Sequence, residues 1–492
     1  MPTTISLRKR LAKLDTQIGE HRRALHALEN ARTALERTLH DTATFPVLDL
    51  PVEIAAKIFV HCLPPFANLG WYRPRSVYKN TAPLVLTSVC RTWRDIAHSG
   101  ALVNTGYLPF VSKPTSGEDF IDRWLARTGN YPLSFIFRAR IGWGEDGVES
   151  LPQRMRDLIH NYSHRLQFLE LYITEPGIRL LGLDVVVFPL LESASLNCDI
   201  PGLWNSQPPP VIVFSKAPRL HELVRHPKTG LTLVKPVNLR VTLPWGQLTK
   251  YDGPIFGLAL FSTALNLTEL SCYLDFLEEV LVPVTHFGLR SLALKSVRLL
   301  PYLTLPALQH LDVADASDMT DDGSEYDLER TFEPFLVRSS PPLVSLRIPA
   351  DDRHFEVWGQ CAGHMNRTLE TIQFHGPSTR AMSFLFPSEG KGDSILTHSA
   401  FPNLRSLQLQ AVSCDFGSHY SALVRFLYSE SHLRSFSLVW ATNPFLDSRY
   451  FCGPPETFRQ FDTIGGHLSR IAHAGMKIHV GTKDKNYATI EQ

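Results

Sequence analysis

The chain opens on a seven-residue beat of apolar positions. Between residues 5 and 40, Leu7, Leu14, Leu28 and Leu35 share one seam position, and Leu11, Ile18, Leu25 and Leu39 share the other. Eight of ten seam positions are apolar, and only His21 and Arg32 interrupt them. The stretch has no proline and one glycine, Gly19. Such periodicity predicts a long helix over about 1–43, either pairing in a coiled coil or folding back on its own domain. A homodimer through these heptads is one of the two outcomes. Eight Lys/Arg against four Asp/Glu make the helix locally basic, which reads as a solvated face.

A polar hinge, "DTATFPV", leads to a second pattern. In "DLPVEIAAKIFVHCLPPF" (49–66), Ile54, Ile58 and Cys62 recur every four residues, and Phe59 and Leu63 widen the stripe. Pro51 suits a first helical turn, where a missing N–H costs nothing, and Glu53 complements the helix dipole there. Pro64 and Pro65 stop the helix. After a turn-rich interval, "APLVLTSVCRTWRDIAHSG" predicts a second helix opened by Pro83. Leu84, Val85, Val89, Trp93 and Ile96 supply its apolar contacts, through a third short turn.

Past residue 115 a helix and then a strand are expected in "DFIDRWLARTGNYPLSFIF". From there one apolar phrase returns, Leu-x-x-Leu-x-Leu in its full form. It runs from Leu166-Leu169-Leu171 and Leu191-Ala194-Leu196 to Leu404-Leu407-Leu409 and Leu433-Phe436-Leu438, with a degraded copy at Leu220-Leu223. Pro189, Pro218, Pro306, Pro341 and Pro402 each stand two residues before a leading leucine. Most gaps are 19 to 29 residues, the period of leucine-rich repeats. One gap is 47 residues and holds "LPWGQLTKY". Helical spacing between phrases, as in Leu328, Phe332, Phe335 and Leu336, predicts one strand and one return helix per repeat, stacked as a solenoid. The last unit predicts a helix around Phe461, Ile464, Leu468 and Ile471 and an alternating strand in "MKIHVG". The fold class expected is therefore α/β: an N-terminal heptad helix, a small three-helix domain at 46–104, irregular leucine-rich repeats at 115–481, and a polar tail at 482–492.

Composition narrows function mostly by exclusion. A net charge of +1 over 492 residues gives no polyelectrolyte character to attract nucleic acid or an anionic membrane. The greasiest stretch, "LLGLDVVVFPLL", is broken by Asp184 and Pro189, so no transmembrane helix is expected. The N-terminus lacks the apolar core of a signal peptide. Seven scattered cysteines without a CxxC pair point to a reducing compartment, cytoplasmic or nuclear, and to buried thiols rather than disulfides or structural zinc.

No catalytic constellation emerges: there is no HExxH, no GxSxG, no GxGxxG after a strand and no Walker lysine loop. "SEGKGDS" lacks the spacing of a phosphate cradle. "DMTDDGSEYDLE" places Asp318, Thr320, Asp322, Gly323 and Glu329 at calcium-loop positions, yet Glu325 stands where such loops want an apolar residue. An acidic inter-repeat loop is the reading kept. Neither cofactor nor metal is expected, and the chain reads as a non-enzyme.

The residues around the second and third helices carry a family resemblance. Leu50, Pro51, Glu53, Ile54, Ile58, Phe59, Leu63, Pro64, Val89, Cys90, Arg91, Trp93 and Arg94 resemble the F-box motif. The heptad helix, "RWLARTGNYPLSF", "LPWGQLTKY" and the irregular repeats extend the likeness to the F-box-like proteins of mushroom-forming fungi. Two features depart from the motif. The 64–81 interval is longer than in a compact F-box, at little closure cost, and "SGALVN" replaces the usual closing Leu-Trp.

The resemblance implies a substrate-recognition subunit of a Skp–cullin–F-box ubiquitin ligase. By that analogy Leu50, Pro51, Ile54, Ile58, Phe59, Leu63, Leu84, Val89, Cys90 and Trp93 would lie at or behind a Skp interface, and the repeats would hold an unknown protein target. The alternative is a scaffold of the same build that binds partners without assembling a ligase.

Overall fold

The computed structural model describes residues 4–42, 50–61, 86, 88–96, 125–126, 129–130, 132–138, 150–199, 210–225, 241–274, 282–295, 297–313, 328–350, 361–387, 396, 400–412, 419–430, 432–440 and 461–481. The chain is mixed α/β and divides into two compact units. One comprises Met1–Asn104 with Trp124–Gly129, the other Thr105–Arg123 with Asn130–Gln492.

The described residues of the first unit include the long helix α1 (Thr4–Thr42) and the short helices α2 (Val52–His61) and α3 (Arg91–Ile96). Helix α1 spans the predicted heptads without a break. Helix α2 starts just after Pro51, whose carbonyl accepts from the amides of Ile54 (2.9 Å) and Ala55 (3.0 Å). The expected stop at Pro64–Pro65 and the opening of the second helix at Pro83 lie outside the described residues.

The second unit carries a 13-stranded, wholly parallel sheet whose strands stand side by side in chain order. They are β1 (Leu133–Arg138), β2 (Leu166–Thr174), β3 (Ser193–Asp199), β4 (Glu222–Arg225), β5 (Lys250–Ile255), β6 (Glu269–Leu274) and β7 (Ser291–Leu294). They continue as β8 (His310–Asp312), β9 (Ser345–Pro349), β10 (Thr371–His375), β11 (Ser406–Val412), β12 (Ser435–Trp440) and β13 (Lys477–Gly481).

Each apolar phrase occupies one strand and its entry turn. The middle residues align across the sheet: Leu270, Leu292, Leu311, Leu346, Ile372, Leu407 and Phe436 follow one another in register. All are at most 2% exposed. Parallel strands buried on one face need apolar residues at every second position, and the phrase supplies them.

The prolines have a local reason. The amides of Leu220, Leu308 and Leu404 donate to the carbonyls of Ala217, Leu305 and Phe401. These are β-turns with Pro218, Pro306 or Pro402 as second residue, where the fixed φ of proline is already right. The next two amides then share one carbonyl of the preceding turn. Gln309 and His310 both donate to Arg290, and Arg434 and Ser435 both donate to Arg405. Each turn is thereby clamped to its predecessor.

Between strands, the connecting helices bury their apolar sides. Met155, Leu158 and Ile159 belong to α4 (Ser150–Tyr162). Short helices follow as α5 (Glu175–Leu181) and α6 (Ala259–Thr263). Phe332, Phe335 and Leu336 belong to α7 (Leu328–Ser339), and Ala381, Met382 and Leu385 to α8 (Thr379–Leu385). Leu423, Phe426 and Leu427 lie in α9 (Tyr420–Ser429), and Leu468 and Ile471 in α10 (Phe461–His473).

Arg338 ties α7 down. Its Nη2 donates to the carbonyls of Leu300 (2.8 Å) and Leu303 (2.7 Å), and its Nε to Thr304 Oγ1 (3.1 Å). Arg338→Met should destabilise this unit by about 1–2 kcal/mol, because three acceptors lose a charged donor. Lysine should not restore it, lacking the planar fork. Urea unfolding of the three proteins checks both expectations.

Candidate interaction surfaces

In the first unit, α2 has two adjacent stripes. Ala55 and Phe59, four residues apart, turn inward and pack with Leu86 and Ile96 as a small core, with Trp93 against it. The Phe59 and Trp93 rings lie 4.9 Å apart at a 54° tilt, a favourable aromatic contact. Cys90 closes the start of α3, its Sγ accepting from the Trp93 amide at 3.4 Å.

The neighbouring stripe faces solvent. Ile54 is 44% exposed, Ile58 40% and Val89 54%. Pro51 is exposed, while Leu50, Cys90 and Trp93 are half-buried. Phe59, grouped in the sequence with the partner-facing residues, is 1% exposed and belongs to the internal core. It can support the outer stripe without presenting an atom to a partner. Leu63 and Leu84 lie outside the described residues, as do the "DMTDDGSEYD" and "SEGKGDS" loops.

In the second unit, from β4 onward, the sheet face opposite the leucines is mostly polar and half-buried, whereas in β1–β3 it is largely buried and includes Ile136 and Phe168. Strand register brings together residues distant in the chain. Glu222, Lys250 and Glu269 align across β4, β5 and β6. Lys250 Nζ lies 3.1 Å from Glu222 and 3.7 Å from Glu269. The hydrogen bond to Glu222, outweighing an opposing desolvation, lifts the ammonium above its ordinary pKa.

Further along, Arg347 Nη1 meets Asp312 Oδ2 at 2.8 Å, and its Nη2 lies 3.4 Å from His375 Nδ1. Beyond Arg347 the same row is uncharged, through Gln373, Gln408 and Ser437. Ser435 donates to Ser406 at 2.8 Å. Lys250 and Arg347 thus each meet a carboxylate within the face. No sequence signal marked these pairs, because they exist only once the register is known.

The chemistry of the buried thiols agrees with a packing role. Burial pushes the Cys272 thiol well up, and pushes that of Cys361 up to about 12. Among the described residues no group of three or more His, Cys, Asp or Glu side chains could hold a metal ion. Among them, too, no helix is long and apolar enough to cross a membrane. No protein-family model and no curated protein matches the chain.

Proposed function

We propose that the protein is a non-enzymatic recognition subunit of a cullin-based ubiquitin ligase, with the α2–α3 region acting as an F-box. In this reading the Ile54, Ile58 and Val89 stripe docks on the Skp adaptor, and the 13-stranded sheet is a leucine-rich repeat array whose polar face holds a target protein. The observation that carries it is the split of α2 into two stripes. Phe59 and Trp93 build a core of their own, leaving isoleucines exposed beside it. A region this small has little core to hide more apolar side chains in, and exposed aliphatic stripes on small units mark partner surfaces.

Catalysis would come from a ubiquitin-conjugating enzyme held near the target, through effective concentration rather than side-chain chemistry. The compartment would be the cytoplasm or nucleus, where the adaptor and its cullin reside.

The test is a pull-down of Skp and cullin with the tagged chain. Ile54→Asp with Ile58→Asp should abolish Skp capture and leave the thermal unfolding of the sheet unit unchanged. Alanine at Leu50, Pro51 and Ile54 should weaken capture. Undiminished capture by the aspartate pair would remove the proposed interface. Skp captured without cullin would instead leave an interaction scaffold that assembles no ligase.

A further inference from the structure

The apolar seam of α1 is uncovered. Leu11, Leu14, Ile18, Leu25, Leu28 and Leu35 are 48–71% exposed along one side of a 39-residue helix. Single exposed leucines are ordinary surface, but six on one seam are not. At 1.5 Å per residue the helix runs about 58 Å, so the seam is long enough for an extended pairing. We infer that a second copy of this chain covers it, as a parallel, in-register, two-stranded coiled coil.

Flanking charges, taken with full overlap of the seam, favour a parallel copy as the partner. With Leu11 at an a position and Leu14 at d, the g positions of the helix hold Arg10, Gln17, Ala24, Ala31 and Thr38, and the e positions Arg8, Asp15, Arg22, Glu29 and Glu36. In a parallel pair each g residue faces the e residue five positions on. Arg10 then meets Asp15 of the second copy, twice by symmetry. The pairings Gln17 with Arg22, Ala24 with Glu29 and Ala31 with Glu36 bring no like charges together. Antiparallel pairing sets e against e. The alignment that overlaps the whole seam, with Leu14 opposite Arg32, then places Asp15 beside Glu29 and Arg22 beside Arg22, and alignments that avoid this, such as Leu14 opposite Leu25, cover only part of the seam.

The two interruptions are compatible with parallel pairing. Arg32 carries its own counter-charge, Nε lying 2.9 Å from Glu36 Oε1 on the same helix. A layer of two Arg32 residues is thus balanced by two carboxylates. Two His21 rings facing each other can serve as donor and acceptor. The resulting dimer would present every target site in duplicate, raising avidity without a new contact.

Sedimentation equilibrium of the full chain should give a dimer. Leu14→Asp with Leu28→Asp should give a monomer whose remaining unfolding transition is unaltered, since both leucines are solvent-exposed in the single chain. For direction, Leu14→Cys should form a disulfide-linked dimer on mild oxidation, above the background of the parent chain. Antiparallel pairing would put position 14 against position 25, 32 or 39 and give no such link. A monomeric parent, a dimer that survives both aspartates, or a dimer that Leu14→Cys fails to link would each overturn the inference.

Discussion

Leu346→Ala should lower the stability of the sheet-bearing unit by about 2–5 kcal/mol. Leu346, the second residue of β9, is fully buried. Its register partners are Leu311 on β8 and Ile372 on β10, both inside the same row. Removing the Cγ and its two methyl groups leaves a gap between two neighbours fixed by their own turns, which cannot close on it. Because each strand pairs only with the strands before and after it in the chain, the loss falls on β8 and β10 rather than spreading evenly.

Urea unfolding followed by circular dichroism gives the magnitude, and amide exchange gives the place. Exchange should quicken first in β8, β9 and β10. Ser345→Ala, one residue away on the opposite face and half-buried, should change stability by no more than about 0.5 kcal/mol. Equal losses at 345 and 346 would contradict the division of the sheet into an apolar and a polar face.

Much of this architecture was legible in the chain, for a physical reason. A parallel strand covered on one face must place apolar residues at a fixed spacing, and a β-turn before it favours proline at one position. Both demands are local, so they leave a local trace, as at Pro306-Ala307-Leu308 and Pro402-Asn403-Leu404. The heptads of α1 leave a trace of the same kind. Which side of α2 turns inward is not local. Ile54 with Ile58 and Ala55 with Phe59 are both spaced four apart, and only contact with Leu86, Trp93 and Ile96 decides between them. The polar face of the sheet was hidden more completely. Asp312 and Arg347 stand 35 residues apart in the chain and meet only because β8 and β9 align.

One strand left a misleading trace, and it explains the 47-residue gap between phrases. Strand β5 lies inside that gap, entered from Leu248, which is fully buried like other leading leucines. Tyr251 takes the middle position, paired with Leu223 and Leu270, and Gly253 takes the last, beside Cys272. The preceding strand departs too, with buried Arg225 where a leucine is expected. The departures compensate one another. Tyr251 is 1% exposed, packs edge-on against Trp245 at 4.9 Å, and donates its hydroxyl to the Pro254 carbonyl at 2.8 Å. Burial, moderated by the nearby Arg225, pushes its pKa up to about 12, so it stays a neutral donor. The Tyr251 hydroxyl and the Arg225 stem fill the place a side chain at 253 would occupy.

Gly253→Ala should therefore be costly although it adds one methyl group. A Cβ at 253 would stand 2.7 Å from Arg225 Cβ, 2.9 Å from the Tyr251 hydroxyl and 3.0 Å from the Arg225 carbonyl. The first and third neighbours are fixed to the backbone of β4 and cannot swing away. Overpacking of this kind costs about 1–3 kcal/mol, and displacing the Tyr251 hydroxyl from Pro254 would add about 1 kcal/mol.

A double-mutant cycle separates the two contributions. Tyr251→Phe removes the hydroxyl, so Gly253→Ala should cost less in that background, though still something, because the Arg225 contacts remain. Denaturant unfolding of the four proteins reads the coupling. Strict additivity would mean that the tyrosine hydroxyl does not occupy the missing side chain's place, and a neutral Gly253→Ala would mean that β5 sits further from β4 than these distances require.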